Sequence, residues 1–320
     1  MSATAGRERL GVAVVIPNWN GARWLRGCLE PLAAQTRPVD EIVVVDNGSS
    51  DESLSLLRSS PVSPRVIELG RNTGFAYAVN RGIEATTAPA IATINTDVVL
   101  VPEWVERMAA RLESDPGLGA VACKMLQLGD EQRLYDAGDI LRRDGACEQR
   151  GRLRADDGSY DEAGEVFAAC AGAAIFRRAA LDSVGGAFDE RLVIYLEDVE
   201  LGLRLRLAGW RCGYEPVVAL HAGEGSAQAL DPPVQHWVQR NTLLLVARYF
   251  RASWLPLVIY RQLGWAWHAL RERRLATQWR GTLAALPLLG AMLRERAAVR
   301  RASKVPIEEA IPPRPIRGAR

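Results

Sequence analysis

Apolar residues in the first hundred positions come in short unbroken runs, each closed by a polar or glycine-containing turn. Residues 11–16 (GVAVVI), 41–45 (EIVVV), 65–69 (RVIEL) and 90–94 (AIATI) are such runs. Their length and β-branched content predict buried strands. Between them the apolar spacing lengthens to three and four residues. Trp24, Leu25, Cys28, Leu29 and Leu32 fall on one helical face, as do Leu54 and Leu57. Further helices are predicted after Gly74 and over 103–112, the latter with Pro102 suited to its first turn. Pro31 predicts an early end to the first helix. Four strand–helix units in about a hundred residues imply an α/β fold built on a mainly parallel sheet.

In such a sheet the strand ends share one edge, where open α/β sheets bind ligands. The polar tips here are Asn18, Asp46, Asn72 and Asp97. Asn18 lies in the turn Pro17-Asn18-Trp19-Asn20-Gly21, which lets backbone come close to a ligand. Asp46 leads into Asn47-Gly48-Ser49-Ser50-Asp51, with residues suited to capping the next helix. Gly74 opens a helix whose first amides suit a phosphate. A nucleotide is the expected ligand. No GxGxxG follows these strands and no Walker A loop occurs, which disfavours nicotinamide, flavin and P-loop chemistry.

Beyond residue 112 the pattern predicts a fifth strand over 120–126, then hairpins and loops over 130–163 around the site. An apolar, small-residue run covers 165–176, with a helix from about 179. Glu197 and Asp198 open a helix carrying Leu201, Leu203, Leu205 and Leu207. Acids at a helix start complement its dipole, and one of a carboxylate pair can equally serve as a general base. His221 stands alone after the run 210–220; an isolated histidine is more often structural than a metal ligand.

The chain has 320 residues, 48% of them hydrophobic, enough for one large domain and an appendage. Its five cysteines are scattered without a CxxC pair, and no apolar stretch near Met1 resembles a signal peptide, so a cytoplasmic location is expected. The net charge of +2 hides an asymmetry. Residues 241–320 hold 15 Lys and Arg against 4 Asp and Glu, which leaves 1–240 with an excess of nine negative charges. Trp254, Trp265, Trp267 and Trp279 lie in this basic part. Basic charge with tryptophans in apolar stretches predicts contact with an anionic membrane surface, at the inner face of the cytoplasmic membrane, and not with nucleic acid. Residues 252–270 are broken by Pro256, Arg261 and His268, which favours helices lying in the interface over a span. Packing against the catalytic domain or a second copy, as in a homodimer, is the plainer use of the same residues. The Pro- and charge-rich end from 303 predicts disorder.

Taken in order, the segments VVIPNWN, VVVDNGSSDES, RNTGFAYAVNRGI, INTD and YLEDVELGLRLRLAGW resemble those of family 2 inverting glycosyltransferases, over roughly residues 11–245. The subgroup they look most like is the rhamnosyltransferase-like one that builds bacterial cell-surface polysaccharides. The resemblance implies the GT-A fold. It implies that Pro17, Asn18, Trp19, Asn20, Asp46, Asn47, Asn72, Gly74, Asn95, Thr96 and Arg240 contact the nucleotide sugar. Asp97 matches the last acid of the DxD-type motif and His221 a histidine completing a Mg²⁺ or Mn²⁺ site. Asn95 stands where that motif's first acid is expected, which leaves fewer charges on the cation. Asp198 matches the catalytic base, expected ionised, with Glu197 beside it orienting the acceptor. Glu200 stands where an Asp is more usual and receives no chemical role.

The expected organisation is a flexible arm over 1–10 and a catalytic domain over 11–240, with a nucleotide-binding half (11–112) and an acceptor-binding half (113–240). A helical, membrane-associating extension over 241–302 and a disordered tail over 303–320 follow. The expected reaction moves rhamnose from dTDP-rhamnose to a polysaccharide or lipid-linked saccharide. A UDP-hexose or UDP-galactofuranose donor is the alternative. From other classes, a nucleotidyltransferase and a catalytically silent binding module are the alternatives.

Overall fold

The computed structural model describes residues 9–223 and 231–313, so most of the expected arm and the far end of the expected tail lie outside the described residues. The first half alternates as the pattern requires: β1 (Val12–Asn18), α1 (Ala22–Ala33), β2 (Glu41–Asp46), α2 (Ser53–Arg58), β3 (Arg65–Glu68), α3 (Phe75–Glu84) and β4 (Ala90–Ile94). Then come β5 (Val98–Leu100), α4 (Trp104–Ser114), β6 (Leu118–Gln127), β7 (Asp130–Asp136), β8 (Asp139–Leu141), β9 (Cys147–Gln149), β10 (Gly164–Val166), β11 (Ala173–Arg177) and α5 (Arg178–Ser183). The catalytic part closes with α6 (Glu197–Leu207) and β12 (Arg211–His221). Pro31 does not end α1 early: it sits near the helix end, and Gln35 Nε2 donates to its carbonyl at 3.1 Å. Asp51 serves two helix starts, accepting from Ala22 N at 2.9 Å and Ser53 N at 3.1 Å.

The large sheet runs β10-β12-β6-β11-β4-β1-β2-β3, with β5 on β12 and β7 on β6. From β4 to β3 every pairing is parallel, as predicted. The second half departs from the mainly parallel expectation. β11 inserts antiparallel between β4 and β6, and β10, β5 and β7 also pair antiparallel. The sheet is mixed because the later strands enter through hairpins and loops that the parallel, helix-linked units lack. Side chains alternate between two cores. Val12, Val14 and Ile16 of β1 pack with Leu25, Leu29 and Trp104, while Val15 joins Ala76, Val79 and Ile83 of α3.

Four helices follow: α7 (Val234–Tyr249), α8 (Leu255–Arg271), α9 (Leu275–Ala302) and α10 (Ile307–Ala310). The expected boundary at 240/241 falls inside α7. Phe167, Val199, Leu203 and Leu207 of the catalytic part share a core with Leu244, Leu245, Phe250 and Met292. Ion pairs add to this. Glu200 accepts from Arg204 Nε at 2.8 Å, Arg248 at 2.9 Å and the Tyr249 hydroxyl, so α6 and α7 are bonded through one buried carboxylate. Residues 303–313 depart from the expected disorder. Ala310 and Ile311 are buried, Arg143 Nε donates to Ile311 O at 2.8 Å and Arg206 Nε to Ala310 O at 3.1 Å. Isolated apolar residues among prolines carry no periodic signal, yet they fill a groove formed far back in the chain.

Gly82 marks how tightly α3 lies on the sheet. A β-carbon there would run into Cγ1 of Val15 and sit 3.0 Å from Cγ2 of Val45. Gly82→Ala is expected to cost about 1–3 kcal/mol by overpacking. Thermal and urea unfolding of the two chains check this; an unchanged midpoint would mean that the interface has slack.

Candidate active site

The C-terminal ends of β1, β2 and β4 form one wall of a cavity of about 2050 Å³. The in-register pair Asn18↔Asp46 sets this edge. Asn18 Nδ2 donates to Asp46 Oδ1 at 2.9 Å, and Asp46 Oδ2 accepts from Ser49 N at 3.0 Å. Asp46 therefore has both oxygens engaged and stands behind the wall, as does Asn20, whose Oδ1 accepts from Ser50 N at 2.8 Å. Asn47 reaches across to the next turn: its Oδ1 accepts from Thr73 N at 2.8 Å and its Nδ2 donates to Gly74 O at 3.1 Å. Pro17, Asn18, Trp19, Asn47, Asn72 and Gly74 line the cavity.

Asp97 and His221 are 124 positions apart and meet through the sheet. β5 pairs antiparallel with β12, Val98 opposite His221, and Ala222 N donates to Asp97 O at 3.0 Å. His221 Nε2 lies 3.7 Å from Asp97 Oδ1. Burial holds its pKa below the usual histidine value, against the pull of Asp97, so the ring is neutral near pH 7. Its Nδ1 accepts from Gly223 N at 2.7 Å, which leaves the proton on Nε2, facing Asp97. Asn95 and Thr96 line the same wall, and Asn95 Oδ1 is buried without a hydrogen-bond partner among the described residues.

These donors fit a hard divalent cation: a carboxylate, an orphaned amide oxygen and an imidazole. His221 can join only if its proton moves to Nδ1 and the Gly223 contact is released. Among the described residues no group of three or more His, Cys, Asp and Glu is placed to hold an ion. A cation here would complete its shell with oxygens of the ligand.

Opposite stands the start of α6. Glu197 is buried and Asp198 half-buried; burial raises both pKa values, and the charge of Asp198 adds to the rise on Glu197. Asp198 keeps two counterweights: Val199 N donates to Oδ1 at 2.8 Å and Ala171 N to Oδ2 at 3.3 Å. The loop before α6 is under backbone strain. Val193, Tyr195 and Leu196 have φ of 65°, 66° and 66°, a region that β-branched and bulky residues avoid. Asn241 holds this loop. Its Nδ2 reaches the carbonyls of Leu192 at 2.9 Å, Ile194 at 3.0 Å and Tyr195 at 2.7 Å. Arg240 belongs to the same brace, donating to Arg191 O at 2.8 Å and Asn241 Oδ1 at 2.6 Å. It is buried and does not line the cavity, in contrast to the expected diphosphate contact.

The loops over 130–163 supply wall residues the sequence reading did not single out. Tyr135 stacks on His221 with centroids 4.2 Å apart, and Arg152 lies 4.9 Å over the Tyr135 ring. Asp139 is a third buried acid on the wall, and Trp237 of α7 closes one side. Two acids bracketing Ala137-Gly138 were the available signal for this loop.

With this geometry, comparison with known proteins is decisive at the family level. The family model described as glycosyl transferase family 2 matches residues 13–185. The chain belongs to that family. Among curated relatives, the O-antigen biosynthesis protein RfbC of Myxococcus xanthus is 28% identical over 239 residues, covering 71% of this chain and 18% of that protein. The matched stretches take in less than half the length of the first curated relatives. Among solved structures, GalNAc-T7 with UDP, GalNAc and Mn²⁺ superposes with a TM-score of 0.59 at 16% identity, covering 76% of this chain and 48% of that one. The mannosyltransferase PcManGT from Pyrobaculum calidifontis, in complex with GDP-Man and Mn²⁺, gives 0.54 at 19% identity, covering 94% and 78%. These neighbours show the GT-A fold for this family 2 glycosyltransferase.

The brace makes a prediction. Asn241→Ala removes a side chain that holds three buried carbonyls, at a cost of about 1–3 kcal/mol. The strained loop then relaxes, and kcat should fall by more than about tenfold as the two acids lose their position. A lowered Tm with kcat unchanged would make Asn241 a packing residue alone.

Proposed function

We propose that this chain is an inverting, cation-dependent glycosyltransferase acting on a nucleotide-diphosphate sugar. The observation that carries the reading is the meeting, in one cavity, of the strand-end asparagines, the Asp97–His221 pair and the Glu197–Asp198 pair. Asn18, Asn47, Asn72 and Gly74 would hold the nucleoside. Asp97, Asn95 and His221 would hold Mg²⁺ or Mn²⁺, which when bound neutralises charge on the diphosphate. Asp198 takes the proton of an acceptor hydroxyl. The acceptor oxygen bonds to the anomeric carbon while the bond to the diphosphate breaks, its electrons leaving with the nucleoside diphosphate. One base suffices for a single displacement, and a raised pKa suits it to that task.

The resemblance favours dTDP-rhamnose as donor and a surface polysaccharide or lipid-linked saccharide as acceptor. The ligands of the structural neighbours, UDP with one and GDP-Man with the other, make the base the first thing to test. The screen is a thermal shift and hydrolysis assay with dTDP-, UDP- and GDP-sugars, with Mn²⁺, Mg²⁺ or EDTA. A cation-dependent shift with release of nucleoside diphosphate is expected; free pyrophosphate would indicate a nucleotidyltransferase. Asp198→Asn should abolish turnover and spare the donor-induced shift. In the parent enzyme kcat/KM should fall as pH drops through the raised pKa of Asp198, at a pH above the usual Asp value of about 3.9. Normal turnover in Asp198→Asn, or no shift with any nucleotide sugar, would sink the reading.

The reading extends to where the enzyme works. No helix among the described residues is long and apolar enough to cross a membrane. Ile259, Leu263, Trp267 and Leu270 nevertheless form an exposed stripe on α8, and Trp279, Leu283, Leu286 and Leu293 are exposed on α9. Arg271, Arg273, Arg274 and Arg280 lie exposed between them. An anionic membrane surface at the cytoplasmic face is the occupant this chemistry suits. Arg261 does not oppose this, since it bonds Asp144 at 2.8 Å, and Trp254 is not part of the face, being buried. Flotation should show binding to phosphatidylglycerol vesicles, weakened by salt and by about tenfold or more in Leu263→Glu/Trp267→Glu. Equal binding to neutral vesicles, or a dimer whose formation these changes abolish, would assign the face differently.

A further inference from the structure

The acid on β8 has no place in the chemistry above. Asp139 is 6% exposed and Glu197 5%, and both line the cavity beside Asp198. Oδ2 of Asp139 and Oε2 of Glu197 are buried without a hydrogen-bond partner among the described residues. The Asp139 N–H donates to Ala168 O at 2.9 Å, and three residues on Ala171 N donates to Asp198, so one short segment positions both acids. The charges acting on Asp139 are those of Asp198, Asp136 and Glu197, all of one sign.

Three of the arginines on the wall are engaged with other side chains. Arg142 bonds Glu148 through two contacts of 2.8 and 2.7 Å. Arg150 lies between Tyr160 and Tyr214, at 4.9 and 4.7 Å from their ring centres. Arg152 lies over Tyr135, on the His221 side. Arg152 thus stands on the His221 side through Tyr135, while Asp139 at the start of β8 gathers with Glu197 and Asp198 at the start of α6.

Buried acid oxygens without partners call for donors from a ligand. A fully ionised phosphate brings only acceptors and offers these oxygens no donor. Sugar hydroxyls each bring a donor, and Tyr195 and Trp237 on the same wall offer apolar ring surface beside them. We propose that Asp139 and Glu197 form the subsite that grips hydroxyls of a neutral saccharide acceptor. The attacking group is then a sugar hydroxyl and not a lipid phosphate. This deepens the glycosyl-transfer reading and rests on it.

The test uses the full chain and whichever nucleotide sugar it hydrolyses. Octyl glycosides of rhamnose, glucose, galactose, mannose and N-acetylglucosamine are offered as acceptors, beside farnesyl phosphate. Transfer to at least one glycoside and none to farnesyl phosphate is expected. Asp139→Ala should raise the glycoside KM by about tenfold or more while the donor KM stays within about twofold. Asp139→Asn keeps the shape and an accepting oxygen and should recover part of the loss; circular dichroism verifies that both variants fold. Product on farnesyl phosphate, hydrolysis without transfer to any glycoside, or an unchanged glycoside KM in Asp139→Ala overturns the inference. Failure of the parent chain to hydrolyse any nucleotide sugar overturns the transfer reading, and this inference with it.

Discussion

Asn241 decides where the two acids at the start of α6 stand. A single amide nitrogen, from a helix outside the sheet, holds three carbonyls of a loop whose backbone sits in the left-handed region at Val193, Tyr195 and Leu196. Each such residue costs of order 1–3 kcal/mol unless its surroundings enforce it. The enforcement is shared with α3, whose Ala76 N donates to Val193 O at 3.0 Å. α3 begins at the nucleotide wall and α7 carries Asn241, so the loop that introduces Glu197 and Asp198 is gripped from both sides of the cavity. The C-terminal helices are therefore part of the catalytic architecture, not an attachment to it.

The same arrangement sets an electrostatic cost. Asp136 is pushed up to about 7 by burial, and burial also raises Asp139, Glu197 and Asp198. Unfolded, these groups titrate near 4. Between the two ranges the folded chain binds more protons than the unfolded one. Their contribution to stability is greatest at low pH and falls as pH rises from about 4 through about 7. A site that holds acids this way is kept for what it binds, since apolar residues would serve the fold better.

What the sequence disclosed follows from range. Asn18 and Asn72 are legible because they end or closely follow strand runs, and a parallel sheet must gather its strand ends, whereas Asp46, at such an end, turns behind the wall. Glu197 and Asp198 were legible because they open a helix. Arg240 was assigned to the diphosphate from resemblance, and the structure turns it to the loop instead. Tyr135, Arg152 and Asp139 sit in short hairpins whose strands have three to seven residues, too brief for a periodic signal. The mixed second half of the sheet was hidden for the same reason: β11 inserts between strands distant in sequence, and nothing local announces a direction.

The cavity's two ends then explain each other. A displacement that leaves negative charge on a diphosphate needs positive charge there, and Arg152, stacked through Tyr135 onto His221, stands on that side. In the proposed reaction the attacking hydroxyl needs the reverse, a field that draws its proton away, which the acids of α6 and β8 would provide. The two fields work only if kept apart. Asn95 in place of a second acid fits the same division, since a carboxylate there would add negative charge where the leaving group already gathers it.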